Sequence, residues 1–203
     1  MKDIIINKIM DSISKYYSYD KAKLEEIRYG LLTLYLSIFK IIVIFIISFF
    51  IHTTKSLCLL FLYYLPLRVF GFGLHTKNSK ECWILSISTF SLLPYLIKRL
   101  LIDDIYLKVL SLPLLVLIIK YAPSDTEKRP LTNKKKRIVY KILSSLITLI
   151  YIILIYSINS LYTKKALFFS ILLEALLILP ISYKLLGLKY KNYMCIKKEG
   201  GKK

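Results

Sequence analysis

The chain has 203 residues, 56% of them hydrophobic, and a formal net charge of +19. That apolar share exceeds the roughly 45–50% of soluble domains and excludes an ordinary soluble fold, and the lysines lie between apolar runs without interleaved aromatics, which excludes nucleic acid as their partner. Three cysteines at positions 58, 82 and 195, with no CxxC spacing, exclude a disulfide framework and a zinc site, so no metal or other cofactor is expected.

In chain order, DIIINKIMDSISKYYS (3–18) sets Ile4, Ile5, Ile9, Ile13 and Tyr16 roughly on one helical face, with Lys2, Lys8, Asp11 and Lys15 elsewhere. This predicts an amphipathic helix lying on a membrane surface. Asp20 is placed to cap a second helix carrying Lys21, Lys23, Glu25, Glu26 and Arg28 before the chain turns apolar. The run from Gly30 to Ile51 is long enough to span, with Lys40 its only charge. Next, SLCLLFLYYLPL (56–67) is short for a span and is closed by Pro66, Arg68 and two glycines, which predicts a short tilted helix or a re-entrant segment. Residues 82–97, 105–119, 138–158 and 166–186 supply the remaining candidate spans. The fold class is therefore all-α: a polytopic integral membrane protein with about six hydrophobic helical segments plus the N-terminal surface helix. It reads as a single membrane-embedded domain over 1–203, with an amphipathic, cytoplasmic region at 1–29 and a basic cytoplasmic tail at 187–203. No cleavable signal peptide is read at the start, so the first span is expected to direct insertion.

The distribution of positive charge tests this count, because basic loops concentrate on the cytoplasmic side. With the N-terminus inside, only Lys55, Lys98, Arg99, Lys108, Lys164 and Lys165 fall outside, and Lys40 falls within the membrane. All other Lys and Arg residues are then cytoplasmic, which supports a multi-pass plasma-membrane protein with both termini inside.

One polar break stands out, RVFGFGLHTKNSKECW (68–83), which carries His75 and Cys82 on the cytoplasmic, reducing side. A thiol becomes a nucleophile near neutral pH when a base is at hand, and imidazole is suited to that task. On one continuous helix the two residues would stand about 10 Å apart, too far for proton transfer. Gly71, Gly73, Asn78 and Ser79 instead suggest an irregular segment that folds back, with Cys82 in the first turn of the helix that follows. Backbone amides at that helix start are the natural oxyanion donors, and Glu81, Asn78 and Ser79 are all candidates to orient His75. The bland reading is a solvated histidine and a cysteine used as small apolar filler. Cys58 lies in an apolar run without a base on its side and reads as packing; Cys195, in the basic tail, reads as inert or at most as a palmitoylation-like site.

The second unusual string is YAPSDTEKRPLTNKKKR (121–137). Pro123 and Pro130 forbid a continuous helix, and Ser124 and Asp125 suit a turn. Its cations read either as a solvated loop that enforces topology and touches anionic lipid, or as a docking surface for an acidic peptide.

Together the strings RVFGFGLH (68–75) with Cys82, and APSDTEKRPL (122–131), resemble the accessory gene regulator B family, AgrB, of Gram-positive quorum sensing, and the likeness extends over nearly the whole chain. The resemblance implies a membrane cysteine endopeptidase that removes the tail of an AgrD-like pro-peptide through a thioester and promotes thiolactone or lactone closure of the autoinducing peptide. It makes Cys82 the nucleophile and His75 its base, and it places Arg68 and Gly73 in the family motif. The string FGFGL (70–74) stands where a Gly-Gly-x-His-like string is expected, although Gly73 keeps the glycine two before the histidine. An acidic tail of the pro-peptide would meet Lys128, Arg129, Lys134, Lys135, Lys136 and Arg137, while its amphipathic leader lay in the membrane plane. The resemblance also suggests a homodimer. The rival from another class is a small polytopic carrier or peptide-binding module, supported by the intramembrane Lys40 and Glu174 and weakened by the lack of an internal repeat.

Overall fold

The sequence folds into helices joined by short links, and among the described residues there are no strands. The structure is a computed structural model that describes residues 2–17, 19–74, 76, 78–126 and 130–194, without the side chains of Lys2 and Ser79. His75, Lys128, Arg129 and Cys195 lie outside the described residues. The chain divides into two compact units, residues 1–47 and 48–203.

In the first unit, α1 (Lys2–Tyr16) leads to α2 (Lys21–Phe50), which continues past the unit boundary. The Asp20 carboxylate accepts the Lys23 N–H at 3.1 Å, so the expected cap is in place. Arg28 donates to the Asn7 side chain at 3.3 Å, joining the two helices near their polar ends.

The second unit is built from α3 (Thr54–Gly71), α4 (Ser79–Arg99), α5 (Asp104–Tyr121), α6 (Lys134–Ser157), α7 (Leu161–Ile178) and the short α8 (Pro180–Leu185). At its centre is α7, buried on most of its faces from Lys164 to Ile178 and packed against α3, α4, α5 and α6. A helix without a polar face belongs in such a position. Small residues let neighbours approach closely: Ser170 bonds back to Ala166 O at 2.8 Å, and Ser56, Ser111 and Ser144 are buried on the facing helices.

Successive helices alternate in direction. One end of the unit gathers the start of α3, the end of α4, the starts of α5 and α7 and the end of α6: Lys98 donates to His52 O at 2.7 Å, Ser56 and Tyr162 share a hydrogen bond of 2.5 Å, and Lys164 meets Asp104 at 2.5 Å. The opposite end gathers the polar break, the Pro-bounded loop and the C-terminal segment.

By length and composition, α2 and α6 are long and apolar enough to cross a bilayer. Two sequence-based boundaries change. The segment read at 56–67 as short or re-entrant is a continuous helix of 18 residues that passes through Pro66 and stops at Gly71. At a rise of about 1.5 Å per residue it approaches the thickness of a hydrocarbon core. The segment read as one span over 166–186 is two helices, because Leu179 is extended and Pro180 opens α8, where a missing N–H costs nothing. Cys58 is exposed rather than packed, since the buried positions of α3 (Ser56, Leu57, Leu60, Tyr64, Leu67 and Gly71) lie on another face.

Candidate active site

After Gly71 the chain leaves the helix through two residues at positive φ, Phe72 (+66°) and Gly73 (+82°). For phenylalanine this conformation costs roughly 1–2 kcal/mol, so other contacts must hold it. Arg68, one turn back on α3, donates Nη1 to Phe72 O and Nη2 to Leu74 O, the latter at 2.8 Å. The rings of Phe70 and Phe72 both pack on Tyr140 of α6, with centroids 5.9 and 5.4 Å away. The FGFG string thus supplies two aromatic anchors and two close backbone approaches.

The same stretch pairs with the Pro-bounded loop. Gly73 N–H donates to Ser124 O at 2.9 Å, Ser124 N–H donates to Gly71 O at 3.0 Å, and Phe72 and Ser124 form a parallel bridge. Leu74 N–H donates to Leu177 O at 2.9 Å in the last turn of α7. The two strings on which the family resemblance rests are therefore neighbours, joined by backbone bonds.

Cys82 is the fourth residue of α4, half-buried, with its own N–H donated to Asn78 O at 3.1 Å. The expected place in the first turn is correct. The N–H groups of residues 79–81, which precede the first intrahelical bond, are the helix-start donors. Asn78 Nδ2 donates to Glu81 Oε1 at 2.6 Å, so these two candidate orienting groups bind each other. His75 lies outside the described residues, while its chain neighbours Leu74 and Thr76 are both buried.

Asp125 is buried and gathers three backbone donors: Asn192 N–H on Oδ1 at 3.0 Å, and Tyr193 N–H at 2.8 Å and Leu131 N–H at 3.2 Å on Oδ2. Tyr183 OH reaches Ser124 O at 3.1 Å and Asp125 O at 3.2 Å. This clasp ties the C-terminal segment to the loop, and the sequence reading assigned neither Asp125 beyond a turn nor Asn192.

Beside the clasp, a cleft of about 190 Å³ is lined by Lys120, Arg137, Lys141, Lys191, Tyr190 and Tyr193 among others. Arg137 lies over the Tyr193 ring, 3.8 Å from its centroid. Burial pushes the Tyr190 phenol above its usual range, so it stays neutral. Lys134, Lys135 and Lys136 are exposed on the first turn of α6, where Asn133 Oδ1 accepts the Lys135 and Lys136 N–H groups at 2.9 and 3.3 Å. Of these three, Lys136 reaches a second cleft, of about 330 Å³, whose wall includes Phe72 and Tyr140. Lys120, Lys141 and Lys191 were not among the sequence candidates; only the fold brings them together. Among the described residues, no cluster of His, Cys, Asp and Glu could hold a metal ion.

The family model described as Accessory gene regulator B matches residues 6–178. The chain is 30% identical to an AgrB-like protein of Clostridium acetobutylicum over 196 residues, covering 95% of this chain and 94% of that one. It is 31% identical to the accessory gene regulator protein B of Staphylococcus aureus strain JH9 over 180 residues (88% and 94%), and 31% identical to that of Staphylococcus epidermidis over 186 residues (88% and 93%). No solved structure matches.

Proposed function

The chain belongs to the accessory gene regulator B family, and from that membership we propose that it is a membrane cysteine endopeptidase with a His75–Cys82 dyad that trims and cyclises a quorum-sensing pro-peptide. The family is generally one of processing proteases and is linked to AgrD pro-peptides and the autoinducing peptides made from them. The observation that carries the reading is the backbone pairing of residues 71–73 with Ser124. It leaves the approach to His75 beside a cationic loop, with α4 opening four residues after the histidine and carrying Cys82 in its first turn.

In this mechanism His75 takes the proton of Cys82, and the thiolate adds to a backbone carbonyl near the C-terminal tail of the pro-peptide. The helix-start amides of residues 79–81 stabilise the oxyanion. The C–N bond then breaks, His75 protonates the leaving amine, and a thioester to Cys82 remains. A thiol or hydroxyl within the peptide attacks that thioester, closes a thiolactone or lactone, and returns the thiol of Cys82. Exchange between thioesters is nearly neutral in energy, so a thiolactone accumulates only where water is excluded and the tail departs; a site at the membrane interface supplies the exclusion of water.

The acidic tail of the substrate would enter the cationic cleft of Lys120, Arg137, Lys141 and Lys191, guided by Lys128, Arg129 and Lys134–Lys136. Anionic lipid would meet the same face. In the membrane, six helical segments cross, both termini and the site are cytoplasmic, α1 lies on the surface with its isoleucines inward, and two copies associate.

The test uses the full chain in liposomes with an AgrD-type pro-peptide. Wild type should release the tail and give a covalent adduct on Cys82 by mass. Cys82→Ser should give neither, and His75→Ala should be slower by about 10²–10⁴-fold. Tail release by Cys82→Ser at the wild-type rate would overturn the assignment.

A further inference from the structure

Among the described residues of the second unit, Glu174 on α7 is fully buried, with neither carboxylate oxygen hydrogen-bonded. Its carboxylate lies against the backbone of Gly71. A Cβ added there would collide with Oε1 and come within 2.9 Å of Cδ and 3.2 Å of Cγ. Two residues later the same backbone meets the other charge, because a Cβ on Gly73 would collide with Arg68 Nη1 and come within 3.1 Å of Leu177 O. Glu174 from α7 and Arg68 from α3 thus press on the same short stretch of backbone, Gly71–Gly73.

Leu74 is the last described residue before His75, and both its backbone groups are fixed by this arrangement. Its N–H goes to Leu177 O, three residues along α7 from Glu174, and its C=O goes to Arg68 Nη2. A carboxyl buried without a hydrogen-bond partner is costly, and the half-buried Arg68 is a cation packed on the same stretch of backbone. Apolar side chains would fill the same space at no electrostatic cost, so the charges call for a role in geometry.

We propose that Glu174, packed against the backbone of Gly71, and Arg68, bonded to Phe72 O and Leu74 O, together position the Phe72–Leu74 backbone, and through it His75, for proton transfer with Cys82. Glu174 is thereby a positioning residue of the peptidase reaction. The inference rests on the cysteine-peptidase reading and fails with it.

The experiment measures two quantities on the folded, monodisperse fraction of the full-length chain: the pH profile of Cys82 alkylation by iodoacetamide, read by peptide mass, and kcat and KM for pro-peptide cleavage. Wild-type Cys82 should react at least tenfold faster near pH 7 than Cys82 in His75→Ala. Glu174→Gln should lose most of that advantage, with kcat down about 10–100-fold and KM little changed. Adding Glu174→Gln to His75→Ala should slow alkylation no further, because the two changes act on one interaction. Glu174→Asp should recover part of the rate. The paired variant Arg68→Met/Glu174→Leu removes both charges at similar volume and should fold yet stay slow. Wild-type kcat and alkylation in Glu174→Gln or in the paired variant would overturn the positioning role while leaving the peptidase reading intact. A wild-type Cys82 no more reactive than in His75→Ala, with no tail released, would overturn both.

Discussion

Gly73 and Ser124 are joined across the loop ends by the Gly73 N–H, which donates to Ser124 O at 2.9 Å, while Gly73 itself sits at φ +82°. Any side chain at position 73 meets strain of roughly 1–2 kcal/mol from the backbone alone, and here it also displaces Arg68. Gly187 provides the control, at φ +60° with nothing within 4 Å of an added Cβ. Gly73→Ala is expected to lower the cleavage rate at least tenfold, whereas Gly187→Ala should lower only the thermal midpoint. Cleavage assays and melting curves on both variants in the same detergent separate the two effects.

Asp125 binds three N–H groups, two of them in the segment that leads to the C-terminus. Hydrogen bonds to a buried carboxylate contribute about 1.5–3 kcal/mol each and do not add fully. Asp125→Ala is therefore expected to cost several kcal/mol of local stability and to release residues 187–194, with Asp125→Asn milder. Limited proteolysis should cut Asp125→Ala after Lys189 or Lys191 much faster than wild type, with the rest of the helical unit intact.

At the opposite end of the unit, Asp104 receives Lys108 and the buried Lys164, each at 2.5 Å. Hydrogen bonds from Lys108 and then Lys164 hold its carboxyl below the usual carboxylate range. A carboxylate lowered in the folded state stabilises the fold above its ordinary value, and that contribution disappears as pH falls through the lowered one. Asp104→Asn should therefore melt below wild type at neutral pH, and the gap should close on acidification below about pH 4. Because Asp104 is remote from Cys82, kcat for the folded protein should be unchanged.

Local signals in the sequence were easy to read where the physics is local. Asp20 caps its helix and Cys82 sits in the first turn of one, since a polar residue before an apolar run or a break rich in glycine and asparagine carries that information within a few residues. The end of α7 was misread for a related reason: Leu179 and Pro180 lie inside an apolar run, and hydropathy alone hides a proline that starts a new helix. What was invisible depends on long-range contact. Asp125 meets Asn192 across 67 positions, and Lys120, Lys141 and Lys191 converge only because the end of α5, the start of α6 and the C-terminal segment meet. Glu174 read as an intramembrane charge in support of a carrier or binding module; its approach to Gly71 is a product of packing between α3 and α7.

The cationic cleft makes a prediction about salt. Lys120, Arg137, Lys141 and Lys191 surround it, and the carboxylate of Asp125, which also lines it, is engaged by three backbone donors. An acidic tail would be drawn in by charge that ions screen over about 8 Å at physiological strength, so attraction to the exposed cations should act chiefly on capture rather than on chemistry. Replacing Lys120, Lys141 and Lys191 together by Gln should raise KM for the pro-peptide by about tenfold at low salt, with kcat nearly unchanged. Arg137 is left in place because its stacking on Tyr193 also supports the clasp. Raising salt should increase KM for wild type much more than for the variant, and the two should approach each other at high ionic strength. A substrate with its acidic tail residues neutralised should behave toward wild type as the native substrate behaves toward the variant. Parallel salt curves for wild type and variant would place the docking surface elsewhere, on the exposed Lys134–Lys136 turn.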